Sequence, residues 1–383
     1  MTSQRRRTAV VGAGVAGLTA AYVLGRDHDV TLYEAGTRLG GHAHTHELTS
    51  SDGGTHRVDP GSIVHNRRTY PYLLRLFGEL GVETQASEMS MSVRCEGCGL
   101  EHAGARGAAG LFARPRSALR GPYLRMLTEV PRFHRAARAL LGRPDDASPL
   151  TLGRFAARGR YSPYVTAHFL KPMVSAVRSC DPVTAMRYPA RPLFRFLDHH
   201  GMLSIGGSPT WRTVTGGSHA YVERVAAQVH SVRTGTPVRA VRRHGGGAEI
   251  VTAGGDTEKY DAVVLATHPD QALRMLADPT DEERGTLGAF RRSRNPTPLH
   301  TDTALLPRSR GTAASWNYLM PSCAADADRV TVSYAMNRLQ RLDAPERFVV
   351  TPNGTRPALR RPGTPSGPGA AWSAARTRPP APP

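Results

Sequence analysis

Residues 8–41 read TAVVGAGVAGLTAAYVLGRDHDVTLYEAGTRLGG. Thr8 to Val11 is a short β-branched and apolar run that ends in glycines. Val15 to Leu24 carries Leu18, Ala21 and Tyr22 on one helical face, and Val30 to Tyr33 reads as the next strand. The turn between the first strand and the helix, Gly12-Ala13-Gly14-Val15-Ala16-Gly17, is a G-x-G-x-x-G loop. Its first glycine permits the tight turn, its second lets backbone approach a pyrophosphate, and its third lets helix and strand pack closely. Phosphate charge then sits at the helix N-terminus, where free N–H groups point outward. Glu34 follows at the end of the second strand, 22 residues past Gly12. An acidic side chain at that place binds the hydroxyls of an adenosine ribose.

The string Glu34-Ala35-Gly36-Thr37-Arg38-Leu39-Gly40-Gly41 narrows the reading. This E-x-x-x-R-x-G-G pattern resembles the superfamily of flavin-containing amine oxidases, phytoene desaturases and protoporphyrinogen oxidases. Asp59-Pro60-Gly61-Ser62 resembles the D-x-G turn that reaches toward the flavin there, and Thr215 to Ser218 the returning T-x-G-G helix start. Thr236-Pro237-Val238 is similar to the strand whose valine backbone meets adenine, and Tyr260 to Pro269 to the strand and turn that close the nucleotide domain. Further strings resemble a bacterial subgroup of amine-oxidase-like FAD-dependent oxidoreductases: Gly40 to Thr45, Ile63 to Pro71, Trp211 to Ser218 and Met336 to Gln340. The resemblance spans about residues 7–345. It implies FAD as cofactor, held by Gly12, Ala13, Gly14, Val15, Ala16, Gly17, Glu34, Ala35, Arg38, Gly40, Gly41, Gly61, Ser62 and Val238. Arg38 and the glycine pair border the diphosphate and ribose in that group. An NAD(P)-dependent reductase is disfavoured by the extended Arg38-Leu-Gly-Gly string.

The expected architecture is α/β: a Rossmann-like FAD-binding domain from residues 1–68 and 215–270, interleaved with an α+β substrate and cap domain from 69–214 and 271–350. A helix is predicted from Thr69, which would cap it, with Pro71 in its first turn and Gly81 as its stop. Residues 85–103 read as short strands, and the proline-broken stretch 104–215 as a mainly helical insert. Ser218 is expected to cap a helix whose apolar face is Tyr221, Val222, Val225 and Val229. Pro237–Val241 and Glu249–Thr252 form a hairpin, and Ala262–Ala266 and Thr331–Met336 are strands.

Residues 351–383 are expected to be a disordered or aberrant tail. From Arg356 onward the sequence holds eight prolines, five arginines and no acidic residue. The resemblance implies a C-terminal strand and a helix near the flavin pyrimidine, and their glycine-rich signature is not found. The expectation is therefore a truncated chain. Two functions follow: an FAD-dependent oxidoreductase removing hydride from a C–N or C–C bond of a small or lipid-like substrate, or an inactive flavoprotein fragment that acts at most as a binding module.

The net charge of +19 comes almost wholly from arginine; Lys171 and Lys259 are the two lysines among 50 basic residues. Scattered arginine in an alanine-, glycine- and proline-rich chain does not make a nucleic-acid stripe. Peripheral attraction to anionic lipid fits it better. Arg5-Arg6-Arg7 precedes an uncharged run to Gly25, as in a signal peptide, but the glycines within it belong to the nucleotide turn. Four cysteines are no disulfide framework at this length, so a reducing, cytoplasmic setting is expected. Cys95-Glu-Gly-Cys98 has the C-x-x-C spacing of a zinc knuckle or redox pair, but a structural zinc needs two further ligands and no second pair exists. Two ordinary thiols in a turn, and no metal, is the reading adopted.

His42, His44 and His46 alternate, so an extended segment sets all three on one face, as metal ligands or as polar residues along the flavin approach. Asp198, His199 and His200 are candidate acid–base groups or a helix surface. Asn66, Trp211, Asn317 and Tyr318 are candidates for the substrate cavity. Many flavin amine oxidases place a lysine beside flavin N5; neither Lys171 nor Lys259 matches it, which weakens amine oxidation without removing oxidase or desaturase activity.

Overall fold

A computed structural model describes residues 5–144, 150–178, 180–293, 295–323 and 331–354, together with the backbone of 372–373 and 376–378. A parallel four-stranded sheet runs in the order Ser231–Arg233, His28–Tyr33, Arg6–Val11, Ala262–Leu265. Ala9 lies opposite Thr31 on one side and Val263 on the other. Because side chains alternate along a strand, the central strand feeds two cores. Val10 packs with Leu18 and Ala21 of the helix Val15–Leu24 and with Val225 of the helix His219–Ala226. Ala9 and Val11 pack the other way, on Val241, Ile250 and Tyr260. Those three belong to an antiparallel sheet of Val238–His244, Gly247–Thr252 and Thr257–Tyr260. The result is three layers, with both faces of the parallel sheet covered.

The strands of this sheet come from residues 6–33 and from 231–265, on either side of a long excursion. Within the excursion, helices between Gly121 and His199 close on Phe133, Leu152, Leu193, Phe194 and Leu197, all fully buried. A mixed six-stranded sheet runs in the order Leu299–His300, Val349–Val350, Thr331–Ala335, Trp316–Met320, Met91–Cys95, Glu101–His102. Its parallel pair sets Met320 opposite Cys95.

Four local details differ from the sequence reading. The helix Pro71–Glu79 is preceded by Tyr70, not Thr69, as N-cap, and no side chain caps it. Thr69 instead gives its N–H and hydroxyl to Asn66 Oδ1, at 3.0 and 3.1 Å. Ser218 occupies the N-cap of His219–Ala226 without capping it, because its hydroxyl is engaged by Asp59. The strand Ser231–Arg233 has no apolar run to announce it, being half-buried at every position. A π-helical turn, Thr166–Leu170, interrupts the insert between Pro163–Val165 and Lys171–Arg178.

The disorder expected of the tail falls largely on residues outside those described. Within the described backbone, Trp372–Ser373 pairs with Pro296–Thr297 and Arg376–Arg378 with Arg291–Ser293. No helix among the described residues is long and apolar enough to cross a membrane.

Candidate cofactor site

The glycine turn is built by close approach. At Gly17 a Cβ would lie 1.8 Å from Gly12 O, and at Gly12, whose φ is +100°, 2.8 Å from Ala266 O. Only glycines let this helix start lie against the ends of strands Arg6–Val11 and Ala262–Leu265. A Cβ on Gly14, by contrast, meets nothing within 4 Å, so that position opens outward. The helix Val15–Leu24 has no side-chain cap and no acidic residue in its first turn. Its first N–H groups are therefore left for an anion.

The segment after Glu34 is laid against this turn. Gly40 N donates to Ala13 O at 2.8 Å. Arg38 Nη1 donates to Leu39 O and Ala43 O at 2.7 and 3.0 Å, and Nη2 to Gly41 O at 2.8 Å. Arg38 thus shapes the glycine-pair loop through its carbonyls. Glu34 Oε2 accepts from Ala13 N and Oε1 from Gly36 N, both at 2.9 Å, which fixes its carboxylate at the strand end.

A cleft of about 610 Å³ opens over these elements. Ten of the residues expected from sequence line it: Gly12, Gly14, Val15, Ala16, Glu34, Ala35, Gly40, Gly41, Ser62 and Val238. Ala13, Gly17, Arg38 and Gly61 are not on its wall; the first three support the turn or the loop from behind. The wall also takes in Arg239, Gln271 and Arg274, which no sequence signal marked. Pro269–Met275, the helix that carries two of them, is too short to show a period. An uncapped helix N-terminus, an open Gly14 and a fixed strand-end carboxylate on one cleft fit an adenine dinucleotide.

Asp59, 1% exposed, is not on the cleft wall. It accepts from Thr45 Oγ1 at 2.6 Å and from Gln340 Nε2 at 3.2 Å, while its own N–H donates to Gln340 Oε1 at 2.8 Å. Burial pushes its carboxyl up, against the opposing pull of the hydrogen bonds from Thr45 and Ser218.

The other candidates are dispersed. Asn66 and Trp211 face each other across a strand pair, whereas Asn317 and Tyr318 lie in the six-stranded sheet. None of the four lines the cleft. Asn317 is consumed by the sheet: Oδ1 accepts from Ser92 Oγ at 2.8 Å and Nδ2 donates to Ala314 O at 2.9 Å. Tyr318 is pushed up to about 12 by burial. His200 is stacked between Phe196 and Trp211, its Nδ1 2.8 Å from Phe196 O, and burial lowers it. Asp198 lies 3.9 Å from Arg68. The three alternating histidines separate. His42 lines the cleft and packs at 6.1 Å from His268, while His44 and His46 pack on each other at 4.0 Å. Lys171 and Lys259 are not on the cleft wall.

Residues 15–298 match the family model described as flavin containing amine oxidoreductase. The chain belongs to this family. Its cofactor is FAD. Among curated relatives, the L-amino-acid oxidase of Pseudechis australis is 44% identical over 78 residues, 20% of this chain and 15% of that oxidase. The L-amino-acid oxidase of Crotalus adamanteus is 54% identical over 46 residues, 12% of this chain and 9% of its own length. Those matches thus span under a fifth of the curated relatives. Solved structures share the fold over most of the chain. A CLA-producing fatty acid isomerase from P. acnes aligns with a TM-score of 0.64 at 18% identity, covering 92% of this chain and 77% of its own. Cyclohexylamine oxidase from Brevibacterium oxydans gives 0.63 at 15%, covering 91% and 75%. Putrescine oxidase bound to putrescine gives 0.63 at 16%, with the same coverage.

Proposed function

We propose that this member of the flavin-containing amine oxidoreductase family removes a hydride from a C–N or C–C bond of a small or lipid-like substrate. The observation that carries the reading is the cleft in which the uncapped helix Val15–Leu24, open Gly14 and anchored Glu34 meet. Bound FAD supplies the hydride acceptor. The chain's own residues do the holding. The first-turn N–H groups and Gly14 receive the diphosphate, Glu34 receives ribose hydroxyls, and Val238 with Pro237 lines the adenine end. Arg38 keeps the Gly40–Gly41 loop in shape by binding its carbonyls. His42 and His268, both on the wall, offer imidazole groups at the cleft.

Support for the substrate class is of two kinds. The names of related proteins cover both amine substrates and a fatty acid. Neither lysine stands on the cleft, which leaves C–C oxidation open beside C–N. The net charge of +19 supports peripheral contact with anionic lipid in the same reading. Anaerobic mixing of the holoprotein with a panel of amino acids, mono- and polyamines and unsaturated fatty acids tests it. Loss of flavin absorbance with one panel member is the expected outcome. A holoprotein that no member bleaches, but that a nicotinamide dinucleotide reduces, would overturn it.

A further inference from the structure

We propose that Cys95, Cys98, His168 and Cys323 together hold one structural zinc ion. Among the described residues, these four present their ligand atoms within 4.8 Å of one another. Cys95 Sγ and Cys323 Sγ are 3.6 Å apart, and Cys98 Sγ and His168 Nε2 are 3.6 Å apart. With Zn–S near 2.3 Å and Zn–N near 2.0–2.1 Å, a tetrahedron has S···S edges of about 3.8 Å and S···N edges of about 3.6 Å. Two opposite edges of the tetrahedron are therefore already set, and the widest pair closes by about 1 Å. The same spacing is far from the roughly 2.0 Å of a disulfide.

The surroundings are those of a ligand set. His168 Nδ1 lies 3.1 Å from Tyr164 O, so a proton on Nδ1 leaves the Nε2 lone pair facing the sulfurs. The residue sits in the π-helical turn Thr166–Leu170, a feature that concentrates at functional positions. Gly97 lets the third cysteine approach, since a Cβ there would lie 3.0 Å from Cys323 N and from Ser322 Cα. Three thiolates and one imidazole on Zn²⁺ leave a net charge of −1. Arg120 and Arg114 stand beside it, donating to Cys98 O at 2.6 Å and Gly99 O at 3.3 Å. Softness of the donors selects zinc over magnesium or calcium.

Four protein ligands leave no open position, so the ion is structural. Binding replaces three thiol protons, which pass to solvent. The ion joins the ends of strands Met91–Cys95 and Trp316–Met320 to the helical insert, fastening the six-stranded sheet to the cap. The spacing of residues 95 and 98 supplies half the site; the other half lies 70 and 228 residues from its contacts.

The test is elemental analysis of the full chain purified without added metal, alongside the Cys98→Ser, His168→Ala and His168→Cys variants. Wild type is expected to carry about one zinc per chain, Cys98→Ser and His168→Ala less than about a tenth of that, and His168→Cys to retain it. Because a variant that loses the ion could also misfold, wild type is separately stripped with chelator and titrated with Co²⁺. The visible bands of a tetrahedral thiolate site should appear and saturate at one equivalent. Wild type with no zinc and no such cobalt spectrum would overturn the proposal, as would a Cys95–Cys323 disulfide found by mass spectrometry in freshly prepared protein.

Discussion

Ser218 gives both its backbone N–H and its hydroxyl to the carboxylate of Asp59, at 2.8 Å to Oδ2 and 2.7 Å to Oδ1, across 159 residues of sequence. The same carboxylate takes Thr45 and Gln340. One buried group thereby ties the loop beyond Gly41, the start of the helix His219–Ala226 and the far segment at Gln340. Asp59→Ala leaves those donors buried and unpaired, each costing about 1–3 kcal/mol. Denaturant unfolding of the apoprotein should show an unfolding free energy lowered by at least that much, with Asp59→Asn intermediate. A variant as stable as wild type would remove Asp59 from this role.

Glu34 predicts a binding effect beyond the loss of the two backbone hydrogen bonds that its carboxylate accepts. Glu34→Ala should weaken FAD by about 1.5–3 kcal/mol, roughly ten- to a hundredfold, through loss of charge-assisted hydrogen bonds. Titration of apoprotein by flavin fluorescence reads it, and an unchanged affinity would take Glu34 out of the ribose site.

Gly17→Ala should be worse than any substitution at Gly14. The new Cβ falls 1.8 Å from Gly12 O, inside any contact distance, while Gly14 faces open space. Overpacking of this kind costs about 1–3 kcal/mol or more and displaces the helix N-terminus from the turn. Thermal denaturation of the apoproteins should separate the two, with Gly14→Ala keeping wild-type apoprotein stability while losing cofactor affinity. Equal stability of the two variants would contradict the packing account.

Acid stability should report two buried histidines. Burial, with help from the nearby charge of Arg212, lowers His65 to about 4; burial and Arg138 lower His134 to about 4. His65 packs on Phe77, and His134 on Phe133 and Phe169. Unfolded histidine titrates near 6.5, so between that pH and about 4 the unfolded chain binds more protons than the folded one. The stability these neutral rings contribute is present above pH 6.5 and is lost as pH falls through 4. Replacing both by Phe or Leu should flatten the pH dependence of unfolding in that window; an unaltered slope would mean other groups set it.

The cofactor half of the molecule was legible because its signals are local. Gly12 to Glu34 is a contiguous strand–turn–helix–strand unit, and each residue type answers a steric or electrostatic demand within it. Ser218 was misread for the opposite reason: helix-start chemistry predicts a cap, but a partner distant in sequence takes the hydroxyl. Ser231–Arg233 forms only because His28–Tyr33 offers an edge, so no pattern of its own marks it. Asn317 looked like a polar group free for substrate until the sheet placed Ser92 and Ala314 against it. The carbonyls of Leu39, Gly41 and Ala43 that hold the Arg38 guanidinium belong to its own loop, a contact that the E-x-x-x-R-x-G-G string alone does not specify.

The central claim is that residues 8–41 and 236–274 wrap an FAD. It is tested most directly by denaturing the purified full chain and identifying the released chromophore by chromatography against flavin and nicotinamide standards. FAD at about one per chain, or FAD taken up to that level by colourless protein, is the predicted result. Release of FMN or a nicotinamide dinucleotide, or a chain that stays colourless in excess FAD, would contradict it.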